Sequence, residues 1–310
     1  MKKKAFLIPG AAFLSILMGL AVLSVYERRK AGEDFRPEII IGRVALPDLS
    51  LYQGGESLEV LFAREGLGSM QDSRSPLPPS AGEISLELPD FSAYTDVKEK
   101  KKAFFQFLRP IVEQENWAVL KERARVLVLW QQFQENRTLS EKGLEQLETL
   151  RDRYRVEAAP EEGAAFFREM LMRIDAVPVP LALIQAAKES GWGSSHFARE
   201  GNNLFGQWCF EKGCGMVPRM RPEGAIHEVQ IFGDVAEAVR AYLWNLNTHS
   251  AYEEVRMRRY RMRMEKKELD GRFLAGGLEK YSERGMEYVR ILRRMIRANE
   301  SFMGFDRPDV

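Results

Sequence analysis

The pattern of apolar and polar positions divides the chain into four segments, and the first is an uncharged stretch from Ala5 to Tyr26. Lysines precede it at positions 2–4, and a charged run follows at positions 27–30. Its length approaches the roughly 20 apolar residues that a helix needs to cross a bilayer. We therefore predict an uncleaved transmembrane anchor over residues 1–26. A cleavable signal peptide is the alternative, although no A-x-A-like cleavage site ends the stretch.

The second segment, residues 27–90, has no apolar periodicity and is rich in proline, glycine and serine. The run at positions 73–80, which reads Ser-Arg-Ser-Pro-Leu-Pro-Pro-Ser, is typical of it. Such a composition buries little apolar surface and favours extended or polyproline II backbone. We predict a linker that lets the rest of the chain reach away from the bilayer.

In the third segment, residues 91–177, apolar residues recur at the spacing of amphipathic helices. Pro110 is placed to begin a second helix, because proline is tolerated in a first helical turn. Thr138 and Glu141 fit a capping box ahead of a later helix. The lysine run at 100–102 is expected on a solvated face. This helical region is predicted either to pack on the fourth segment or to cover its groove.

The fourth segment, residues 178–310, begins with a helix that ends close to a glutamate. Pro180 suits the first turn of that helix, and the glycines of Gly191-Trp192-Gly193 break it just after Glu189. A helix C-terminus disfavours an anionic carboxylate, and burial beside Trp192 would disfavour it further. Glu189 is therefore placed to be a protonated carboxylic acid that can give its proton to a substrate.

A glycine- and amide-rich turn follows, Gly201-Asn-Asn-Leu-Phe-Gly206, and leads into Gln207 and Trp208. Glycine lets a ligand approach the backbone closely. Tryptophan rings stack on sugar faces, and amide side chains hydrogen-bond acetamido groups. This combination of residue types favours carbohydrate binding.

Composition narrows the function classes. The apolar fraction of 45% and the charged fraction of 29% are ordinary for a globular protein, and the net charge is +1. Such a balance gives no reason to expect a nucleic-acid partner. Two cysteines are too few for a disulfide-stapled miniprotein or a cysteine-rich zinc module. No phosphate-binding or dinucleotide fingerprint occurs, so no cofactor is predicted.

Taken together, Glu189-Ser-Gly-Trp-Gly193 and Asn202-Asn-Leu-Phe-Gly206 resemble the motifs of the N-acetylglucosaminidase domains of glycoside hydrolase family 73. Within that family the similarity is greatest to the Bax type, through the stretches 205–215 and 247–252 and the helical region from about residue 96. The resemblance implies a mainly α, lysozyme-like α+β fold. It also implies that a small β-hairpin lobe forms one wall of a groove.

The resemblance also implies roles for individual residues. Glu189 takes the place of the catalytic acid, and Tyr281 the place of an active-site tyrosine, although packing of the last helix is an alternative for Tyr281. The residues expected to contact substrate are Trp192, Asn203, Phe205, Gly206, Gln207 and Trp208.

One departure from the family pattern concerns the second carboxylate. Members often carry it on the first strand of the hairpin, but positions 215–221 hold no acid here. We predict that Glu228, on the return strand 226–232, takes its place, with Glu223 in the preceding turn as the alternative. Water attack assisted by a remote carboxylate would invert the anomeric centre, whereas attack by the substrate's own acetamido group would retain it.

Two further features leave alternatives open. Cys209 and Cys214 could clip their loop in an oxidising compartment, whereas zinc would require two more ligands and the histidines are dispersed, so no metal is predicted. The basic stretch 256–267 is expected either to hold an anionic polymer or lipid headgroup, or to be a solvated helix face with its methionines inward.

These observations predict a peptidoglycan hydrolase that cleaves the β-1,4 bond after N-acetylglucosamine. Its partners would be glycan strands and, through the N-terminal helix, the inner membrane, with the catalytic domain in the periplasm or outside the cell. A lytic transglycosylase or muramidase of the same fold is one alternative. A cell-wall-binding protein without turnover is the other.

Overall fold

The computed structural model describes residues 86–219, 221 and 224–304. The predicted anchor, almost all of the predicted linker and Glu223 lie outside these residues. Within the described ranges, the structure contains no helix with the length and apolar character of a membrane span.

The described chain is mainly helical, with a small β-sheet, as predicted. In chain order the helices are α1 (Val97–Asn136), α2 (Glu141–Tyr154), α3 (Ala164–Arg173), α4 (Val179–Ser190), α5 (His196–Gly201), α6 (Val235–Thr248), α7 (Glu253–Met264), α8 (Gly271–Leu274) and α9 (Met286–Asn299). The strands are β1 (Trp208–Cys209), β2 (Gly215–Met216) and β3 (Glu228–Gln230).

Helix α1 spans 40 residues and runs through Pro110, so the prediction of a new helix at this proline is wrong. A proline inside a helix costs about 3 kcal/mol through a lost hydrogen bond and a clash. The buried residues on both sides of it, Leu108 and Ile111, belong to the same hydrophobic core. We attribute the continuity of α1 to this packing, which outweighs the local cost.

The N-cap of helix α2 lies two residues later than the capping-box prediction placed it. Its N-cap is Ser140, whose hydroxyl accepts the N–H of Gly143 at 3.2 Å, and not Thr138. Serine is at least as good an N-cap as threonine, so N-cap propensity alone does not decide between Thr138 and Ser140.

The three strands form one antiparallel sheet in the order β1-β3-β2. Trp208 pairs with Val229 across β1 and β3, and Met216 pairs with the same Val229 from β2. β3 is therefore the central strand, and Glu228 lies on it, paired with Cys209. The predicted return strand at 226–232 is confirmed in its central three residues.

The first half of α1 shares its core with the helix that carries Glu189. Phe104 and Leu108 of α1 are fully buried in one cluster with Leu181 and Ile184 of α4. The second half of α1 builds a separate cluster with α2 and α3, which includes Trp130, Leu147 and Phe167. Residues 97–173 thus share their hydrophobic cores with the helices that follow them.

The basic stretch at 256–267 has Met262 and Met264 buried, as the second alternative predicted, but two of its arginines are buried as well and are not part of a solvated face. Arg259 is 1% exposed and donates to the carbonyl groups of Met172, Arg173, Asp175 and Ala176 at the end of α3. Arg256 is also buried and donates to Leu246 and His249. Burial lowers the pKa of each guanidinium to about 10. These arginines join α7 to its neighbours.

Candidate active site

Glu189 occupies the last turn of α4, as the sequence predicts. Gly191, with φ +59°, ends the helix in the left-handed conformation and donates its N–H to the Ala187 carbonyl. The Glu189 side chain is 24% exposed, so solvent and a substrate reach it. Its Oε1 atom lies 3.3 Å from the Lys188 ammonium.

Tyr288 on α9 contacts Glu189 directly, and sequence reasoning missed it. The fully buried Tyr288 donates its hydroxyl to Glu189 Oε1 at 2.9 Å. Burial and the nearby Glu189 charge raise the pKa of Tyr288 far above its usual value, so the phenol stays a proton donor. From the sequence, Tyr288 belongs to the apolar stripe of α9, which identifies it as a core residue but does not show where its hydroxyl points.

A chain of hydrogen bonds leads to Glu189 from the centre of the core. Tyr242 of α6 donates to Gln185 Oε1 at 2.6 Å, and Gln185 Nε2 donates to the Tyr288 hydroxyl at 3.1 Å. Gln185 is one helical turn before Glu189, so both side chains face the same side of α4. Every group in this chain is buried apart from Glu189 itself, which fixes the position of Oε1.

Tyr281 lies beside this chain of hydrogen bonds, close to Tyr288. The two rings stack with centroids 5.4 Å apart and an interplanar angle of 9°. The Tyr281 hydroxyl donates to the Phe205 carbonyl at 2.9 Å, and burial raises the pKa of Tyr281 well above its usual value. Tyr281 therefore joins Tyr288 of α9 to the turn that carries Phe205 and Gly206.

The turn after Glu189 is held by close packing. Ser190 accepts the N–H of Gly193 at 2.8 Å, and a Cβ atom at Gly193 would lie 2.5 Å from the Phe91 ring. Trp192, a predicted substrate contact, is half-buried and lies edge-on to Phe104 and Phe105 of α1.

Two lysines of the run at 100–102 also cover this turn, in contrast to the predicted solvated face. The Lys101 ammonium lies 5.0 Å from the centre of the Trp192 ring, and Lys100 donates to the Ser194 hydroxyl. The N-terminal part of α1 is thus attached to the loop that follows Glu189.

Asn203 and Phe205 shape the second motif from inside the protein. Asn203 is 2% exposed, donates to the carbonyls of Gln207 and Gln230, and accepts the N–H of Gln207. Phe205 is buried against Tyr242, with ring centroids 4.1 Å apart. Gly206, with φ +69°, is exposed and has open space where a side chain would lie. Of these three residues, Gly206 is the one that solvent reaches.

Gln207 and Trp208 lead from the turn into β1. In the orientation that satisfies its neighbours, the Gln207 amide donates to the Ala238 carbonyl at 3.3 Å and accepts the Tyr242 N–H at 3.1 Å. Trp208 is 56% exposed, and one face of its ring stacks on His227 at 4.3 Å. Trp208 thus presents aromatic surface to solvent, as a sugar-stacking residue must.

Glu228 binds the loop between β1 and β2. Its carboxylate accepts the N–H groups of Gly213 and Gly215 at 2.9 to 3.1 Å. These bonds lower the pKa of Glu228 below its usual value. Cys209 and Cys214 form a disulfide in the same loop. A metal site formed by these cysteines with Glu228 is not available in this state, since disulfide sulfurs are not thiolate ligands.

With this geometry established, comparison with known proteins identifies the family. A family described as mannosyl-glycoprotein endo-β-N-acetylglucosaminidase matches residues 164–301. The protein Bax of Escherichia coli (strain K12) is 32% identical over 216 residues, which cover 70% of this chain and 76% of that protein. The chain belongs to the Bax-type glucosaminidase-domain proteins. No solved structure matches it.

Membership of this Bax-type group assigns the chain to the glycoside hydrolases. The family match begins at residue 164, within α3, so it includes α4 with Glu189 and α9 with Tyr288. It leaves out α1 and α2, although α1 supplies part of the core around α4.

Proposed function

We propose that this Bax-type protein hydrolyses the β-1,4 bond after N-acetylglucosamine in peptidoglycan, with Glu189 as the general acid. The observation that supports the proposal most strongly is the hydrogen bond from Tyr288 to Glu189 Oε1. It holds one oxygen of a solvent-accessible carboxyl at the end of α4. The other oxygen, Oε2, is then positioned to carry the proton to the substrate.

In the first step, Oε2 gives its proton to the glycosidic oxygen while the bond from that oxygen to the anomeric carbon breaks. The acetamido oxygen of the same sugar attacks the anomeric carbon and forms a cyclic oxazolinium intermediate. In the second step, water opens this ring and the Glu189 carboxylate takes the proton that water loses. Glu189 ends in its starting state, and the anomeric configuration is retained.

The alternative to acetamido attack is water activated by Glu228, and the bonds of that residue weigh against it. Glu228 is 4% exposed, and both of its oxygens accept backbone N–H groups. A general base must reach the attacking water within hydrogen-bond distance. We therefore favour the substrate-assisted route. Glu228, which the sequence predicted to be catalytic, is assigned instead to holding the loop between β1 and β2.

Two other proposals complete the functional account. The helix predicted over residues 1–26 would anchor the protein in the inner membrane and leave residues 86–304 on the side of the peptidoglycan. A lytic transglycosylase of the same fold stays the second candidate for the reaction, because it also needs a single acid. It differs in breaking the glycan on the other side of the disaccharide repeat.

Analysis of the released ends tests the proposal. The full-length protein and its Glu189→Gln variant are incubated with purified peptidoglycan, and the products are reduced with borohydride and identified by mass spectrometry. We expect reduced N-acetylglucosamine ends from the wild type and none from the variant. Anhydro-muramic ends would instead show a transglycosylase, and binding without any new ends would show a wall-binding protein.

A further inference from the structure

A cavity of about 810 Å³ lies on the side of α6 that faces away from Glu189. Neither Glu189 nor Tyr288 lines it. Tyr242, which belongs to the chain of bonds to Glu189, points from α6 into the core. Arg240, Ala241 and Trp244 of the same helix line the cavity. The remaining walls come from α1, the end of α2, Gln207 with the start of β1, and Gln230 of β3.

Aromatic side chains lie at two places in the wall of this cavity. Trp208 of β1 is 56% exposed. The indole of Trp244 is fixed, because its N–H donates to the Arg153 carbonyl at 2.8 Å and the Arg155 guanidinium lies 4.5 Å from its ring. Rigid aromatic rings at the edge of a polar cavity provide flat apolar surface for ligands that are otherwise polar.

Paired charges form much of the remaining wall. Arg240 makes a two-bond contact with Glu115, at 2.8 and 2.9 Å, and its side chain is 64% exposed whereas that of Glu115 is 8% exposed. Arg153 donates to Glu122 through one nitrogen, with side-chain exposures of 52% and 17%, and the other Glu122 oxygen accepts the Tyr154 hydroxyl. In both pairs the carboxylate is covered and the guanidinium faces outward, so it can donate further hydrogen bonds.

This chemistry favours a neutral, hydrogen-bonding ligand over an anionic one. The carboxylates neutralise the guanidinium charges, and Glu237, whose carboxylate accepts the Gly233 N–H at 2.7 Å, adds a negative charge to the wall. An anionic polymer would therefore gain little from charge here. Sugar hydroxyls and acetamido carbonyls accept bonds from guanidinium groups, and pyranose faces stack on indole rings.

We propose that the cavity between α1 and α6 binds a segment of an N-acetylated glycan strand, at a distance from the bond that Glu189 cleaves. The effect of this second site on turnover rests on the proposed function, whereas the binding of a glycan segment in the cavity does not. The enzyme would hold a polymer at two places. Substitutions in the cavity would then slow the cleavage of long strands and leave the cleavage of short oligosaccharides unaffected.

A binding measurement without turnover tests this proposal. The probe is chitotetraose, titrated into full-length Glu189→Gln protein by calorimetry, in which we expect two binding sites per chain. Adding Ala241→Arg fills the cavity from the outer face of α6 without removing a hydrogen bond, and we expect one site to remain. Glu145→Arg, on an exposed position of α2 outside the cavity, is the matched control and should keep both sites.

Trp244→Ala and Trp244→Phe provide a second pair of variants. Loss of the indole should weaken chitotetraose binding at the second site about tenfold, which is the upper range for an aromatic contact. Trp244→Phe should keep part of this affinity. In active protein, Ala241→Arg should raise KM for long glycan strands and leave turnover of a short oligosaccharide unchanged, which also confirms that the variant is folded.

A single binding site in Glu189→Gln, or two sites that survive Ala241→Arg, would overturn the proposal. Failure of the proposed function gives a different result. Wild-type protein would then release no N-acetylglucosamine ends while chitotetraose still bound at a site sensitive to Ala241→Arg.

Discussion

Tyr288 is the residue that changes the account of the site most. It donates to the oxygen of Glu189 that Lys188 also approaches, and it stacks on Tyr281. The motif around Glu189 was visible in the sequence because its glycines and serine must occupy fixed places next to the acid. The role of Tyr288 was not visible in the sequence. Its place in the apolar stripe of α9 predicts that it is buried, but does not show that its hydroxyl contacts Glu189 on another helix.

Replacing Tyr288 with phenylalanine tests this contact. The variant keeps the ring that stacks on Tyr281 and loses the bond to Glu189 Oε1. Glu189 becomes an anion as it gives up its proton, and a hydrogen bond to a charged group contributes about 1.5–3 kcal/mol. We therefore expect kcat to fall about ten- to a hundredfold with KM nearly unchanged. Steady-state kinetics on a soluble glycan measure both constants.

Tyr242→Phe is the matched control, because Tyr242 is two hydrogen bonds further from Glu189. Its effect on kcat should be clearly smaller than that of Tyr288→Phe. Wild-type kcat in Tyr288→Phe would mean that the bond does not position the acid.

Glu228 is a second residue whose contacts could not be predicted from the sequence pattern. Its place on the return strand was predicted correctly, but the sequence does not show that the disulfide loop turns two N–H groups toward its carboxylate. We expect Glu228→Gln to lower kcat less than about tenfold, since a positioning role is lost and no proton transfer is removed. A fall as large as that of Glu189→Gln, measured in the same assay, would instead identify Glu228 as the catalytic base.

At the scale of the elements, α1 shows how packing overrides local preference. Its 40 residues continue through Pro110 because residues before and after it share one core. Helical periodicity predicted the apolar faces of this region correctly. It could not predict which helices those faces meet, because that depends on contacts between residues far apart in the chain.

The junction of α1, α3 and α7 depends on a buried carboxylate. Asp175 is 1% exposed, lies 2.8 Å from Arg263, and is surrounded by Arg123 and Arg259. Burial alone would raise the pKa of Asp175, but the three guanidinium groups outweigh it and lower the pKa well below its usual value. A carboxyl with a depressed folded-state pKa stabilises the fold above the unfolded-state pKa, and the contribution is lost as pH falls.

Removing this carboxylate should therefore weaken the fold. Asp175→Asn leaves buried guanidinium groups without their counter-charge, for which we expect a loss of about 3–5 kcal/mol in the free energy of unfolding at pH 7. The difference from wild type should shrink as the pH falls from about 5 toward 3, below the unfolded-state pKa near 3.9. Urea unfolding across this pH range measures it.

Asp152→Asn, at an exposed position of α2, is the control and should change stability little at any pH. An Asp175→Asn deficit that stays constant between pH 7 and pH 3 would contradict the electrostatic explanation.

At the scale of the whole molecule, the fold class and the position of Glu189 at the end of a helix were predictable because both depend on dense local motifs. The family match starts at residue 164, but part of the core around α4 comes from residues 97–136. The sequence alone left open whether this extension covers the site or completes its core, since only the folded contacts of Phe104, Phe105 and Trp192 decide it. Those contacts join the extension to the loop after Glu189.

The central claim is that Glu189 gives a proton to the leaving oxygen. The most direct test compares Glu189→Gln on two substrates: a natural glycan, and an aryl glycoside whose leaving phenol needs no proton. We predict a fall of about 10²–10⁴ in kcat on the glycan, the usual contribution of general acid catalysis, and a much smaller fall in bond cleavage on the aryl glycoside. Equal losses on both substrates would contradict the account.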